Sequence, residues 1–200
     1  MNTELSDFLG ETIEGSVSRH GFSLSDEGKT YLRGVMEHFA DAQQLFQEYD
    51  FHGKPIYGLK PITLQHFEAV AEKGRAAKTE ALRTVAEQCL FLVGFCYDHI
   101  RKNGMGQVRF HSDLGAAAYD SLAQRSSADA HVFPEIAEQF TAYCVVTGDL
   151  HIPELRSNPV RFKNVFDRWM KTHDRRDELL IEGVLDKQLV FDNHEKKGIN

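Results

Sequence analysis

Apolar residues recur every three or four positions along most of the chain, which is the spacing of an amphipathic α-helix. The clearest run follows Ser25, a favoured N-cap, and Asp26 and Glu27 suit the positive end of a helix dipole. The apolar stripe of this run consists of Tyr31, Leu32, Val35, Met36, Phe39, Ala42, Leu45, Phe46 and Tyr49. The pattern predicts one long helix that starts at Ser25 and reaches Tyr49.

A second long run is apolar on nearly every side in its middle. Gly104 and Gly106 end it, and its apolar members are Leu82, Val85, Ala86, Cys89, Leu90, Val93, Cys96 and Ile100. Because this helix has almost no polar face, we expect it to be central and enclosed.

Shorter helices are predicted on both sides of these two. Asn158 followed by Pro159 is a helix start signal, and Gly115–Ala118 has no bulk, so another helix can approach it closely. Residues 51–61 hold two glycines and two prolines and are predicted to be a connecting loop. The remaining apolar repeats lie at residues 5–17, 64–71, 114–122, 136–146, 162–170 and 179–181.

These patterns predict an all-α fold, namely a compact bundle of seven or eight helices with a long central apolar helix. Short runs such as residues 107–110 are too little for a sheet. Residues 1–185 are predicted to form a single helical domain, and residues 186–200 a polar C-terminal extension.

The composition indicates which partners and which cellular location to expect. A formal net charge of -7 repels phosphate backbones, so we expect no nucleic-acid partner. The longest apolar stretch, Cys89–Tyr97, is far below the roughly 20 residues that cross a bilayer, so no membrane partner is expected either. The three cysteines form no C-x-x-C pair and lie in apolar runs. They are typical of reduced core residues in a soluble, cytoplasmic protein.

The motifs of the common enzymes of this architecture are missing. No acidic residue has a histidine three positions later, as a di-iron bundle requires, and no two histidines are four residues apart, as in a zinc helix. Nucleophile-elbow and dinucleotide-binding signatures are also absent. Whether the protein is an enzyme stays open, as does the identity of any cofactor, and no metal ligands are assigned.

Four polar residues are candidates for ligand binding. His38 shares the apolar stripe of the clearest helix, so it should point inward, either as a ligand or base or as a hydrogen-bonded core histidine. His111 and Asp113 lie at the start of a small-residue helix that also carries Tyr119. These three side chains can line the mouth of a pocket, although helix capping explains the acid equally well.

Aromatic and basic residues alternate on a later helix. Phe162, Phe166 and Trp169 repeat at helical spacing among arginines and lysines. We predict an interaction surface here, the alternative being an amphipathic helix with a solvated basic face.

The middle of the chain, about residues 25–185, resembles an uncharacterised family of bacterial all-helical proteins with no known activity. The resemblance rests on Leu90-Phe91-x-x-Gly94, on Phe110-x-x-x-Leu114-Gly115-x-x-Ala118-Tyr119, on Phe133 to Phe140 and on Arg168-Trp169. Where the family pattern has an acidic residue two positions before the Leu-Phe pair, this chain has Gln88. The resemblance implies a helical fold and a bacterial, cytoplasmic setting.

Two functions follow from the residues as hypotheses. The first is a non-catalytic helical protein that binds a protein partner or itself, with Phe162, Phe166 and Trp169 at the contact. The alternative is a small-molecule- or metal-binding bundle whose internal pocket is lined by His38, His111, Asp113 and Tyr119.

Overall fold

The computed structural model describes residues 3–40, 48–49, 55–56, 61–102, 104–125 and 131–195, and it describes side chains for those up to Leu185 outside the two short strands. The all-α prediction is confirmed. One exception is a minimal antiparallel pairing of β1 (Glu48–Tyr49) with β2 (Pro55–Ile56). Strand β2 lies inside the segment predicted to be a loop, but β1 lies at the end of the helix predicted from Ser25, so the prediction that this helix reaches Tyr49 is wrong.

The helices of the first half of the chain surround the candidate site described below. In chain order they are α1 (Thr3–His20), α2 (Asp26–Ala40), α3 (Ile62–Ala71), α4 (Arg75–Gly94), α5 (Tyr97–Arg101), α6 (Met105–Ala123), α7 (Phe133–Glu138) and α8 (Phe140–Gly148). A 3-10 turn (Asp149–His151) then leads to α9 (Ile152–Ser157), α10 (Pro159–Thr172) and α11 (Arg175–Glu195).

The chain divides into two compact units, Met1–Thr147 and Gly148–Asn200. Helix α11 continues across residues 186–195, the first part of the predicted polar extension. The expectation of one domain over residues 1–185 stays a prediction.

Local signals in the sequence set the helix starts. The backbone N–H of Gly28 donates to Ser25 Oγ at 2.9 Å, and that of Arg161 donates to Asn158 Oδ1 at 3.1 Å, so both predicted N-caps are confirmed. Helix α2 is described to Ala40, and the rest of the predicted helix, residues 41–47, lies outside the described residues.

The predicted helix over residues 82–100 is interrupted. The N–H groups of Phe95 and Cys96 both donate to the Phe91 carbonyl, at 2.7 and 3.2 Å, so the regular ladder stops and α5 starts anew at Tyr97. Breaks of this kind give the described part of the chain more helical segments than the seven or eight predicted.

The core of the first unit forms where α4 packs against α3 and α6, and α6 packs against α7. Its largest fully buried side chains are Leu32, Val85, Leu90, Tyr119, Leu122, Phe133, Ile136 and Tyr143. The close approach predicted for the small-residue cluster is confirmed at Gly115, where an added Cβ would lie 2.8 Å from Cys89 Cβ and 2.4 Å from Phe140 Cζ.

The second unit has its own core. Ile152, Leu155, Val165, Leu180, Ile181 and Val184 are buried together, with Phe162 and Trp169 packed against them. Arg168 Nε donates to Asp177 Oδ2 at 2.7 Å while its Nη2 donates to Oδ1, so the fully buried carboxylate is held at both oxygens.

Candidate functional site

A cleft of about 500 Å³ opens between α2 and α4. Helix α2 lines it with Tyr31, Gly34 and His38, which are spaced at i, i+3 and i+7 and so share one face. Helix α4 lines it with Glu80, Arg83, Thr84 and Glu87, at i, i+3, i+4 and i+7. Each helix thus turns one polar stripe toward the other.

Glu87 and Tyr31 form the polar centre of this cleft. The Tyr31 hydroxyl donates to Glu87 Oε1 at 2.6 Å, across the two helices. Burial is the largest influence on Glu87 and raises the pKa of its carboxyl, although the bond from Tyr31, the positive charge of Arg83 and the neighbouring His38 side chain act to lower it. The carboxylate is therefore less stabilised here than it would be in water.

Tyr119 on α6 lies directly behind this pair. Its ring centroid is 6.2 Å from that of Tyr31 in an edge-to-face arrangement, and its side chain is fully buried. Burial, followed by the nearby Tyr31 and Glu87, raises the pKa of its phenol well above the usual value. Although Tyr31 is close, no partner among the described residues meets the geometry of a hydrogen bond with the Tyr119 hydroxyl.

Gln88 leaves a second buried polar atom at the cleft. Its Oε1 is shielded from solvent and has no hydrogen-bond partner within the described part of the chain. A buried polar group without a partner costs about 1–3 kcal/mol of stability. The Gln88 oxygen lines the cleft, so a ligand donor there would remove this cost.

The Arg83 guanidinium contacts an aromatic ring and acts on the ionisable groups of the cleft. Its guanidinium carbon lies 5.6 Å from the centroid of the Phe133 ring, within cation–π range, and its charge acts on both Glu87 and Tyr31. The cleft thus combines a fixed cation with an under-stabilised carboxylate.

The structure places the four predicted ligand residues in two groups. His38 is exposed, so it lies on the cleft wall where the cleft meets solvent instead of pointing into the core as expected. Tyr119 lies behind the Tyr31–Glu87 pair. His111 and Asp113 do not line the cleft: His111 Nδ1 is 2.7 Å from the Gln107 carbonyl, and Asp113 pairs with Arg109 at 3.7 Å.

Sequence reasoning missed Glu87, Tyr31, Arg83 and Gly34. A usable signal was the polar stripe of Glu80, Arg83 and Glu87 on an otherwise apolar helix. Gln88, which departs from the acidic residue of the family pattern, does line the cleft. No three His, Cys, Asp or Glu side chains of the described residues come together as a metal site would require.

The predicted interaction surface on α10 is divided between core and solvent. Phe162 and Trp169 pack against the core of the second unit, while Phe166 is 39% exposed. Helix α3 exposes more apolar surface, with Leu64 at 47%, Phe67 at 72% and Val70 at 51%. These three are spaced at i, i+3 and i+6, so they form one strip on the surface of α3.

Known proteins provide no further guide to this site. No protein-family model, curated protein or solved structure matches the chain. The resemblance to a bacterial helical family therefore stays a prediction. In the part of the chain that the structure describes, no helix combines the length and the apolar character needed to span a bilayer.

Proposed function

We propose that this protein binds a small molecule in the cleft between α2 and α4. The observation that carries the proposal is the Tyr31–Glu87 pair, a phenol that donates to a largely buried carboxyl at 2.6 Å on facing walls of the cleft, where the pKa of Glu87 is raised. Clefts that bind ligands combine apolar walls with a few convergent polar groups and perturbed pKa values, and this one has all three.

A purely structural role for these residues is the competing explanation. If packing alone were required, apolar side chains would fill the same space without the cost of burying a phenol and a carboxyl. The partly buried carboxylate Glu135, in the same unit, shows what a structural acid looks like in this protein. It accepts hydrogen bonds from the Ser25 N–H at 2.9 Å and from the Tyr143 hydroxyl at 2.8 Å.

Gly34 offers a direct test of binding in the cleft. A Cβ at this position meets nothing within 4 Å, so Gly34→Leu fills the cleft without disturbing a packed contact. Gly15 on α1 is the matched control, because it is also helical and exposed with nothing within 4 Å of an added Cβ.

The experiment is a ligand-observed NMR screen of small molecules against the full chain. We expect binders whose affinity falls at least tenfold in Gly34→Leu and stays unchanged in Gly15→Leu. If every binder found is insensitive to Gly34→Leu, or if none is found, the cleft is not the binding site.

Self-association is a second candidate, supported by the exposed strip of Leu64, Phe67 and Val70 on α3. Contiguous exposed apolar strips are typical of contact surfaces. Sedimentation velocity over a concentration series should show a mass that rises with concentration in the wild type and falls in Phe67→Lys. Phe166→Lys, on the surface predicted from sequence, is the matched control. A wild type that stays monomeric throughout contradicts this candidate.

We also propose a bacterial, cytoplasmic setting with no nucleic-acid partner. The net charge of -7 supports the absence of a nucleic-acid partner. The absence of a disulfide at Cys89, Cys96 and Cys144 supports a reducing compartment.

A further inference from the structure

We infer that the ligand of the cleft carries a protonated amine, which pairs with the Glu87 carboxylate while its carbon chain lies against Tyr31 and Phe39. This inference rests on the proposed function, since it names the chemical class that the same cleft would bind.

Apart from the Arg83 guanidinium, which lies over the Phe133 ring, the hydrogen-bonding groups of the cleft are mainly acceptors. Glu80 and Glu87 contribute carboxylates, and Gln88 contributes the carbonyl oxygen that has no partner among the described residues. The two hydroxyls have already used their protons, because Tyr31 donates to Glu87 at 2.6 Å and Thr84 donates to the Glu80 carbonyl at 3.1 Å.

A ligand that satisfies this arrangement must bring donors. An ammonium group has three N–H donors and no acceptor, so it matches a carboxylate and an amide carbonyl on neighbouring positions of one helix. A carboxylate ligand would be attracted by Arg83 but repelled by both Glu80 and Glu87, so the two acids outweigh the one cation.

Electrostatics at Glu87 point the same way. The groups that face this carboxyl are Tyr31 and His38 from α2, Glu80 and Arg83 from its own helix, and Tyr119 from α6. Despite the bond from Tyr31 and the positive charges, burial keeps the pKa of Glu87 raised. A positive charge on the ligand would therefore stabilise the Glu87 carboxylate, whose negative charge these neighbours do not fully offset against burial.

The apolar walls suit a short carbon chain. The Phe39 ring stacks on Phe91 with centroids 4.5 Å apart, and Phe39 is buried, so this wall is fixed in place. Tyr31 presents a second ring, and aromatic faces attract ammonium groups.

Three probes of equal chain length separate the chemistry: n-butylammonium, n-butanol and butyrate. We expect butylammonium to bind the full chain most tightly by isothermal titration calorimetry or NMR titration. Glu87→Gln, which keeps the acceptor for Tyr31 but removes the charge, should weaken butylammonium at least tenfold. Glu135→Gln, a carboxylate outside the cleft, should leave it unchanged, and circular dichroism checks that both variants are folded.

The outcomes distinguish this inference from the proposed function. If butanol or butyrate binds as tightly as the amine, or if Glu87→Gln binds butylammonium normally, the amine class is wrong. The amine class is equally wrong if butylammonium does not bind. Binding of any other molecule that is lost in Gly34→Leu would still uphold the cleft, whereas a Gly34-insensitive set of binders overturns both.

Discussion

Replacing a glycine with alanine should have opposite effects at two helical positions of this protein. At Gly115 on α6, an added Cβ would lie 2.4 Å from Phe140 Cζ and 2.8 Å from Cys89 Cβ, on two different neighbouring helices. Both neighbours are buried, Cys89 at 0% and Phe140 at 4% exposure, so neither can swing into solvent. At Gly34 on α2, the same Cβ meets nothing within 4 Å.

The magnitudes follow from two competing terms. Alanine gains about 0.5–1 kcal/mol over glycine inside a helix, because the unfolded chain loses less entropy on folding. Overpacking a tight core by one methyl group costs about 1–3 kcal/mol. Gly115→Ala should therefore lower the free energy of unfolding by up to about 2.5 kcal/mol, toward the upper end because both contacts are shorter than 3 Å, while Gly34→Ala should raise it by about 0.5–1 kcal/mol.

Urea denaturation followed by circular dichroism measures both variants against the wild type, and unchanged slopes show that the same cooperative transition is compared. Gly15→Ala controls for helix propensity and should resemble Gly34→Ala. If Gly115→Ala is as stable as the wild type, the close approach of α4 and α8 to α6 is wrong. If Gly34→Ala is destabilised, the open cleft wall is wrong.

Four other substitutions test the remaining contacts. Asp177→Asn should lower the free energy of unfolding, measured by urea denaturation, by about 3–5 kcal/mol, because it breaks the bidentate salt bridge between a fully buried carboxylate and Arg168. A loss below about 1 kcal/mol would contradict this. The pKa of Glu135 is lowered in the folded state, because the bonds from Ser25 and Tyr143 outweigh burial. Its ionised carboxylate therefore stabilises the fold at pH values above the ordinary pKa of 4.5, and this stabilisation is lost as the pH falls through the folded pKa. Glu135→Gln should thus be less stable than wild type at neutral pH, with the deficit vanishing in acid. Glu87 has a raised folded pKa, so its contribution is lost as pH rises through that value, and Glu87→Gln should gain on the wild type as pH rises from acid to neutral. His173 has a left-handed backbone with φ of 50° at the end of α10, which glycine adopts more easily. His173→Gly should therefore raise the free energy of unfolding by roughly 0.5–1 kcal/mol and, with it, the thermal midpoint. An unchanged or lower midpoint would show that the position is not strained.

The sequence predicted the fold well because helix formation depends on neighbours in the chain. N-caps at Ser25 and Asn158 and the bulk-free contact at Gly115 could be read from residue type and spacing. The break after Gly94 could not, because two N–H groups compete there for the single Phe91 carbonyl, and hydrophobic periodicity does not report such competition.

The candidate site was only partly predictable. His38 was found because it stands on a strong helix, but spacing alone could not show that its face borders a cleft instead of the core. His111 and Asp113 were grouped with it on residue type, and their actual partners are one turn away on the same helix. Glu87 was missed because its importance depends on Tyr31, which is 56 positions away in the chain.

Two carboxylates of the same unit differ in how fully the fold stabilises their charge. Glu135 accepts from a backbone N–H and from a phenol, and its pKa is lowered, so its charge is stabilised by the fold itself. Glu87 accepts a hydrogen bond from Tyr31, and its pKa is raised because burial is the largest influence on it. Gly34 lines the same cleft as Glu87, and a Cβ added there would meet nothing within 4 Å. The fold thus stabilises the charge of Glu135 by its own hydrogen bonds, whereas Glu87 is the acid for which we propose a partner from outside.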